Sequence, residues 1–174
     1  EIAYLDHELG RLLQWLDDSG AAAETLVVFV ADHGEGLDEH GEPEHGVFLY
    51  ETTLHIPMIL AGPGVPVGAT VKTPVSTLDL APTLLEMVGL PIDPVAQGQS
   101  LTPLLAGKSM PAESAALFME SEFGEIHYGW SPLSAIRVGD WKYIQAPIPE
   151  LFHLGDDPGE TENLVTARAD VRED

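Results

Sequence analysis

The 174-residue sequence predicts an α/β fold followed by a small antiparallel sheet. An amphipathic pattern at the start of the chain leads directly into a continuous apolar run rich in β-branched residues, which is half of an α/β repeat. Beyond residue 110 the sequence changes to short strand-like runs joined by tight turns, typical of a small sheet appended to an α/β core. We therefore predict an α/β region over residues 1–110 and an antiparallel subdomain over residues 111–174.

The first helix is defined by apolar residues at helical spacing, and it ends near Asp18, where Gly20 can close it in the left-handed conformation. These apolar residues are Ile2, Leu5, Leu9, Leu12, Leu13 and Leu16. The run at 25–31, TLVVFVA, then predicts a strand buried on both faces of a parallel sheet. A short helix at 47–53 and a second strand at 56–61 follow.

The next helix is predicted in the stretch STLDLAPTLLEMVGLP, which has Ser76 or Thr77 as its N-cap and Gly89 with Pro91 as its stop. A short helical stretch is expected around 101–105. Four short strands follow at 115–120, 133–138, 141–146 and 150–154, and the turn at Gly139 joins the middle two. The tail at 161–174 predicts a frayed helix.

Composition excludes several classes of function. Seven Lys and Arg against 29 Asp and Glu give a net charge of −22, which disfavours nucleic acid and anionic membranes as partners. Without cysteine there is neither a disulfide nor thiol catalysis in this stretch, and no apolar run is long enough to predict a membrane span. The chain opens at Glu1 and enters the helical pattern at once, so we expect a piece of a longer protein.

The segment VVFVADHGEGLDEHGEPEHG carries the candidate chemistry. Asp32 and His33 follow the end of a predicted buried strand, which is where open α/β sheets gather ligand and metal groups. A carboxylate beside an imidazole suits Ca²⁺, Mg²⁺, Mn²⁺ or Zn²⁺, and Gly34 and Gly36 allow the backbone to turn sharply. The alternative is an Asx-type turn in which Asp32 caps backbone amides and His33 is merely exposed.

Two further histidines, His40 and His45, lie later in the same segment. If the loop folds back toward His33, an imidazole from this part of the chain can contact an anionic substrate or protonate a leaving oxygen. Spacing alone does not separate His40 from His45. The acids around them, including Glu42, are expected to form a solvated loop.

The stretch TLVVFVADHGEGLDEHGEPEHGVFLYETTLHIPMILAGPGV resembles the second half of a sulfatase of the alkaline phosphatase superfamily. The similarity extends in family order to LDHELGRLLQWLDDSG, STLDLAPTLLEMVGLP, QGQSLTPLLAG, WKYIQA and ELFHLGDDPGETENL. It implies the C-terminal part of an alkaline-phosphatase-like sandwich, a mostly parallel sheet with flanking helices, plus a small C-terminal antiparallel sheet with a helix. The N-terminal half of the catalytic domain would then be missing from this chain.

The resemblance also implies roles for individual residues. Asp32 and His33 are implied to be metal ligands, and His45 is implied to be catalytic by contacting the sulfate or phosphate group. His127, in the aromatic loop IHYGWSP, is a candidate substrate contact, with an ordinary surface loop as the alternative. With this context His40 is better explained by loop shape. The family's nucleophile, a Cys- or Ser-x-Pro-x-Arg motif converted to formylglycine, is not in this chain and is expected upstream.

The implied function is metal-dependent hydrolysis of a small-molecule or glycan sulfate ester. Ca²⁺ is the first choice of metal, with Mn²⁺, Mg²⁺ or Zn²⁺ as alternatives. A phosphate or phosphonate monoester hydrolase, a phosphoryl-group transferase and a non-catalytic remnant are the competing hypotheses. We expect the chain alone to be inactive, because it lacks a nucleophile.

Overall fold

The computed structural model describes residues 1–110 and 116–172. Their Cα positions divide into two compact units, one formed by Glu1–Val30 with Pro57–Thr70 and the other by Ala31–Ile56 with the chain from Val71 onward. Within the described ranges, no helix has both the length and the apolar character that crossing a membrane requires.

The first unit contains one helix and a pair of strands. Helix α1 spans Ile2–Ser19 and ends as predicted at Gly20, which has φ 76° and donates its N–H to the Asp17 carbonyl. Strand β1 spans Val27–Val30 and pairs antiparallel with β2, Met58–Ala61. A 3-10 turn over Ala21–Glu24 connects α1 to β1.

The sequence prediction of a parallel strand buried on both faces is wrong for β1. The two sheets formed by the described residues are both antiparallel, and every residue of β1 is only half-buried. An apolar run predicts burial but carries no information on the direction of the neighbouring strand. Among the described residues β1 pairs with β2, and each of its own residues keeps some exposure.

Helices of the second unit are short. Helix α2 spans Glu51–Leu54, which is shorter than predicted, α3 spans Leu80–Met87 and α4 spans Thr102–Leu105. The predicted N-cap is confirmed, because the Ser76 Oγ accepts from the Leu78 amide at 3.2 Å while an Asp79 oxygen accepts from the Ser76 amide at 2.9 Å. This capping box starts a 3-10 turn, Thr77–Asp79, that leads into α3.

The second sheet has four antiparallel strands in sequence order, as predicted. They are β3 (Ala116–Ser121), β4 (Leu133–Val138), β5 (Trp141–Gln145) and β6 (Glu150–His153). Gly139, with φ 60°, makes the tight turn between β4 and β5. Helix α5, Phe123–Tyr128, was not predicted, and α6 covers only Ala169–Arg172 of the expected tail helix. Residue 115, where the first predicted strand begins, and residues 173–174 lie outside the described residues.

The core of the second unit joins the sheet to the segment that precedes α2. Leu49 packs with residues of β4, β5 and β6 and with Leu154, and each member of the cluster is less than a tenth exposed. The cluster consists of Leu49, Ala135, Ile144, Phe152 and Leu154. Packing of Leu49 against the sheet therefore fixes the chain at a point only a few residues after His45.

Candidate active-site loop

The loop that follows β1 is fixed to the rest of the second unit through two glycines. The Gly34 amide donates to the Thr53 carbonyl at 2.8 Å, and the Gly36 amide donates to the Glu44 carbonyl at 2.7 Å. A Cβ on Gly34 would clash with the Thr52 carbonyl oxygen, so only glycine permits this approach. The two contacts close the loop into one compact turn.

Asp32 and His33 present two donor atoms on the same turn. Asp32 Oδ2 lies 3.6 Å from His33 Nε2, while Asp32 Oδ1 accepts from the His33 amide at 3.1 Å. This bond to the next residue is not the Asx-type turn considered as an alternative, which needs the Gly34 amide; that amide donates to the Thr53 carbonyl instead. Hydrogen bonds from its own amide and from that of His33, followed by the charges of His33 and His45, hold the pKa of Asp32 below its usual range.

The contact of His33 Nδ1 shows which ring nitrogen of His33 carries the proton. His33 Nδ1 lies 2.8 Å from the Gly34 carbonyl oxygen, which can only accept, so Nδ1 carries the proton. The Nε2 lone pair is then free in the neutral ring. A histidine that donates one N–H to a carbonyl and leaves the other nitrogen free has the arrangement typical of metal-binding imidazoles.

His45 is brought back onto His33, as its predicted role requires. The two rings stack with centroids 3.8 Å apart and planes inclined by 24°. His45 Nδ1 donates to Glu35 Oε1 at 2.9 Å, which leaves Nε2 of His45 without this restraint. The hydrogen bond from His45 to Glu35 raises the pKa of His45; partial desolvation opposes this effect, and the charges of Glu35, Glu44 and Glu42 add to it.

His40 is separated from this pair by its own packing. Its ring stacks on Tyr50 with centroids 3.7 Å apart, and its backbone adopts φ 56°. This supports the interpretation of His40 as a residue that shapes the loop.

His127 lies at the end of α5, where its ring contacts Phe123 with centroids 4.3 Å apart. Phe123 in turn borders Gly46, since a Cβ on Gly46 would lie 3.6 Å from the Phe123 ring. The Ser121 hydroxyl also donates to the Gly46 carbonyl at 2.6 Å. His127 therefore belongs to an aromatic segment that packs beside the residue following His45, and its role as a substrate contact stays a prediction.

Two acidic residues of the loop have structural roles that the sequence analysis missed. Glu35 is the hydrogen-bond partner of His45. Glu42, expected in a solvated loop, is only 5% exposed and accepts from the Val47 amide at 2.7 Å. The expectation was wrong because a charged side chain can be buried where it satisfies backbone amides that would otherwise be unpaired. No local pattern distinguishes Glu42 from the other acids of the segment.

The donor chemistry of Asp32 and His33 fits part of a metal shell. One carboxylate oxygen and one imidazole nitrogen suit a divalent cation, and their 3.6 Å separation permits both to contact one ion at the usual distances of about 2.0–2.6 Å. Over residues 1–110 and 116–172, however, no group of three or more His, Cys, Asp or Glu side chains is arranged to hold a metal. Asp32 and His33 thus supply two donors, fewer than the four or more that protein-bound cations take.

A helix–strand fragment that ends in an acid–imidazole loop belongs to the α/β class of proteins. The model of the family described as "Sulfatase" matches residues 1–90, and the chain therefore belongs to the sulfatase family, within the alkaline phosphatase superfamily. The resemblance noted in the sequence is confirmed.

Known relatives cover nearly the whole chain but are much longer than it. Arylsulfatase K of Danio rerio is 34% identical over 99% of this chain and 34% of its own length. Choline-sulfatase of Rhizobium meliloti is 36% identical over 94% of this chain and 31% of its own length. The chain thus spans about a third of the length of these relatives.

Solved structures give the same result for the fold. A protein whose structure was solved in complex with its substrate D-glucosamine-2-N,6-O-disulfate superposes with a TM-score of 0.86 at 28% identity, over 99% of this chain and 36% of that one. Phosphonate monoester hydrolase of Agrobacterium radiobacter gives 0.83 at 31% identity, over 99% of this chain and 37% of its own. The chain is therefore an α/β fragment that matches part of larger hydrolases.

Proposed function

We propose that this chain is the C-terminal part of a metal-dependent sulfatase, in which Asp32 and His33 bind the metal and His45 contacts the sulfate group. The stacking of His45 on His33 at 3.8 Å carries the proposal, because it unites a candidate ligand with a candidate substrate contact. Membership of the sulfatase family supports sulfuric ester hydrolysis as the reaction.

The rest of the protein would complete both the fold and the site. Residues 1–110 would belong to the α/β catalytic domain, whose other strands would form a mostly parallel sheet, and residues 111–174 would form the antiparallel subdomain. The relatives are about three times longer than this chain, which supports a missing N-terminal half. That half would supply further metal ligands and the formylglycine nucleophile, and we expect the 174-residue chain alone to be inactive.

The loop residues have distinct tasks in this proposal. Asp32 Oδ2 and His33 Nε2 would hold the divalent cation, Ca²⁺ first, which when bound supplies charge neutralisation for the ester oxygens. The Glu35 carboxylate accepts a hydrogen bond from His45 Nδ1 and so fixes the orientation of the His45 ring. When the ring carries both protons, which Glu35 favours by raising the pKa of His45, Nε2 can donate a hydrogen bond to the anionic group or protonate the departing alcohol oxygen.

The proposed substrate is a small-molecule or glycan sulfate ester. One structural relative was solved with a sulfated sugar as its substrate, and a curated relative is a choline-sulfatase. The first substrate carries sulfate on a sugar, and the name of the second protein indicates sulfate on choline. The sulfate group is what the two substrates share, and it is the group that His45 would contact.

A phosphonate or phosphate monoester hydrolase is the second candidate, because a phosphonate monoester hydrolase superposes almost as well, with a TM-score of 0.83. The full-length protein should be assayed with 4-nitrophenyl sulfate and with a phenyl phosphonate monoester. We expect the sulfate ester to be preferred and His45→Ala to abolish most of this turnover. Preference for the phosphonate ester would establish the second candidate, and no turnover of either ester with added divalent ion would indicate a non-catalytic remnant.

A further inference from the structure

Four charged side chains form a cluster between the antiparallel sheet and the start of α2, in which Lys142 and Glu160 are buried while Arg137 and Glu51 are partly exposed. The Lys142 side chain on β5 is 0% exposed, and its Nζ lies 2.8 Å from Glu160 Oε1 and 3.1 Å from Glu51 Oε1. Arg137 on β4 places Nη1 2.9 Å from Glu51 Oε2. Two cations thus face two carboxylates, and the formal charges of the cluster cancel.

Glu160 ties this cluster to the backbone of α2. Its Oε2 accepts from the Glu51 amide at 2.6 Å, so Glu160 caps the first residue of the helix. Glu160 also adopts φ 51°, in the left-handed region that non-glycine residues seldom occupy. Such a conformation persists where the surroundings over-determine it, which indicates that the position of this carboxylate is tightly specified.

Helix α2 is the support on which the candidate metal loop rests. The Thr53 carbonyl accepts from the Gly34 amide at 2.8 Å, and Gly34 approaches the Thr52 carbonyl so closely that a Cβ would not fit. Gly34 directly follows His33, whose Nδ1 donates to the Gly34 carbonyl. A continuous path of contacts therefore runs from Lys142 through Glu51 and α2 to the ring of His33.

We propose that Lys142 is a positioning residue, which acts with Glu51 and Glu160 to hold α2 and thereby the turn that bears Asp32 and His33. The proposal rests on the function proposed above for that turn. Buried ion clusters contribute little net stability relative to apolar packing, because desolvation offsets the attraction between the charges. Their value lies in fixing one geometry, and here the geometry fixed is that of two candidate metal ligands.

The test compares Lys142→Met with Lys72→Met in the full-length protein. Lys72 is an exposed lysine of the same unit, so it is the matched control. Two quantities are measured: hydrogen exchange of the peptide covering residues 31–37, and the affinity for Mn²⁺. We expect Lys142→Met to speed exchange in that peptide and to weaken Mn²⁺ binding by about 10–100-fold, as loss of outer-shell support does in metal sites. Exchange in α3 should stay unchanged, which separates a local effect from general destabilisation.

The outcomes distinguish the inference from the function it rests on. Wild-type exchange and Mn²⁺ affinity in Lys142→Met would overturn the positioning role. A wild-type protein that binds neither Mn²⁺ nor Ca²⁺ would overturn the proposed function, and the exchange of residues 31–37 would still decide whether Lys142 holds the turn. If Lys142→Met does not fold, Glu51→Gln replaces it, because glutamine keeps an oxygen acceptor while removing the charge that Lys142 and Arg137 face.

Discussion

His33 and His45 stack face to face, 3.8 Å apart, although they lie near opposite ends of one glycine-rich loop. Each ring is restrained on its Nδ1 side, His33 by the Gly34 carbonyl and His45 by Glu35. These restraints leave both Nε2 atoms unengaged, and the Nε2 of His33 faces Asp32 Oδ2 at 3.6 Å. The loop thus orders two imidazoles through its own hydrogen bonds.

Removing the charge of Glu35 should impair His45. In the full-length protein we expect Glu35→Gln to lower kcat/KM about tenfold, because a neutral amide oxygen holds the His45 ring less strongly than the carboxylate and no longer favours its charged form. Steady-state kinetics with a sulfate ester measure this effect. Glu24→Gln, at an exposed acid outside this loop, is the control and should leave kcat/KM near the wild-type value. Equal kinetics of the two variants would show that Glu35 does not position His45.

A side chain at Gly34 should displace the loop. Gly34→Ala places a Cβ against the Thr52 carbonyl, and we expect it to lower the free energy of unfolding by about 1–3 kcal/mol, as overpacking does, and to weaken divalent-ion binding. Gly10→Ala in α1 is the control, because its Cβ meets nothing within 4 Å and alanine favours the helix. Denaturant unfolding and ion titration of both variants provide the measurement. Wild-type stability of Gly34→Ala would contradict the close approach.

The hydroxyl of Thr83 should contribute to the stability of the second unit. Thr83 is 0% exposed, and its Oγ1 donates to the Asp79 carbonyl and accepts from the Leu101 amide at 2.8 Å. Thr83→Val keeps the shape but leaves the Leu101 amide unpaired, which should reduce the free energy of unfolding by about 1–3 kcal/mol. Thr73→Val, at an exposed position, should change it little. An unchanged denaturation midpoint for Thr83→Val would refute this assignment.

Lowering the pH should remove the contribution of Asp157 to the stability of the folded protein. Hydrogen bonds from the Glu162 and Thr161 amides, at 2.8 Å each, and from the Thr161 hydroxyl lower the pKa of Asp157 from its ordinary value of 3.8. Because the folded-state pKa is the lower one, this stabilisation is complete above the ordinary pKa and is lost as the pH falls through the lowered value. The stability difference between wild type and Asp157→Asn should therefore shrink from about pH 5 to about pH 3. A difference that is constant over this range would contradict the shift.

His127 should influence substrate choice more than chemistry. Its ring packs on Phe123, which borders Gly46 beside His45, so we expect His127→Ala to raise KM for a sulfate ester while kcat changes by less than about twofold. His7→Ala on the exposed face of α1 is the control. If KM stays at the wild-type value for several alcohol groups, His127 belongs to an ordinary surface loop.

Local signals in the sequence predicted the elements that local interactions determine. The Ser76 capping box, the Gly20 helix stop and the Gly139 turn each depend on residues a few positions apart, and each is confirmed. Helix α5 was missed because it has only six residues and Gly124 in its first turn is a poor helix former. The direction of β1 was predicted wrongly because strand pairing depends on the partner strand.

Parts of the candidate site escaped prediction for the same reason. Asp32, His33 and His45 were selected from residue type and from the family resemblance, and the stacking supports grouping them. The contacts of Glu35 with His45 and of Lys142 with Glu51 join residues that are distant in sequence, the second pair by 91 positions. No periodicity or spacing in one sequence identifies such pairs.

The central claim is that Asp32 and His33 bind a catalytic metal, and one measurement tests it most directly. The full-length protein is stripped with a chelator and titrated with Ca²⁺ while hydrolysis of 4-nitrophenyl sulfate is followed, for wild type and for Asp32→Ala. Activity of the wild type should return with Ca²⁺, and Asp32→Ala should remain lower by orders of magnitude at the same ion concentrations. Equal activity of the two proteins across the titration would contradict the assignment.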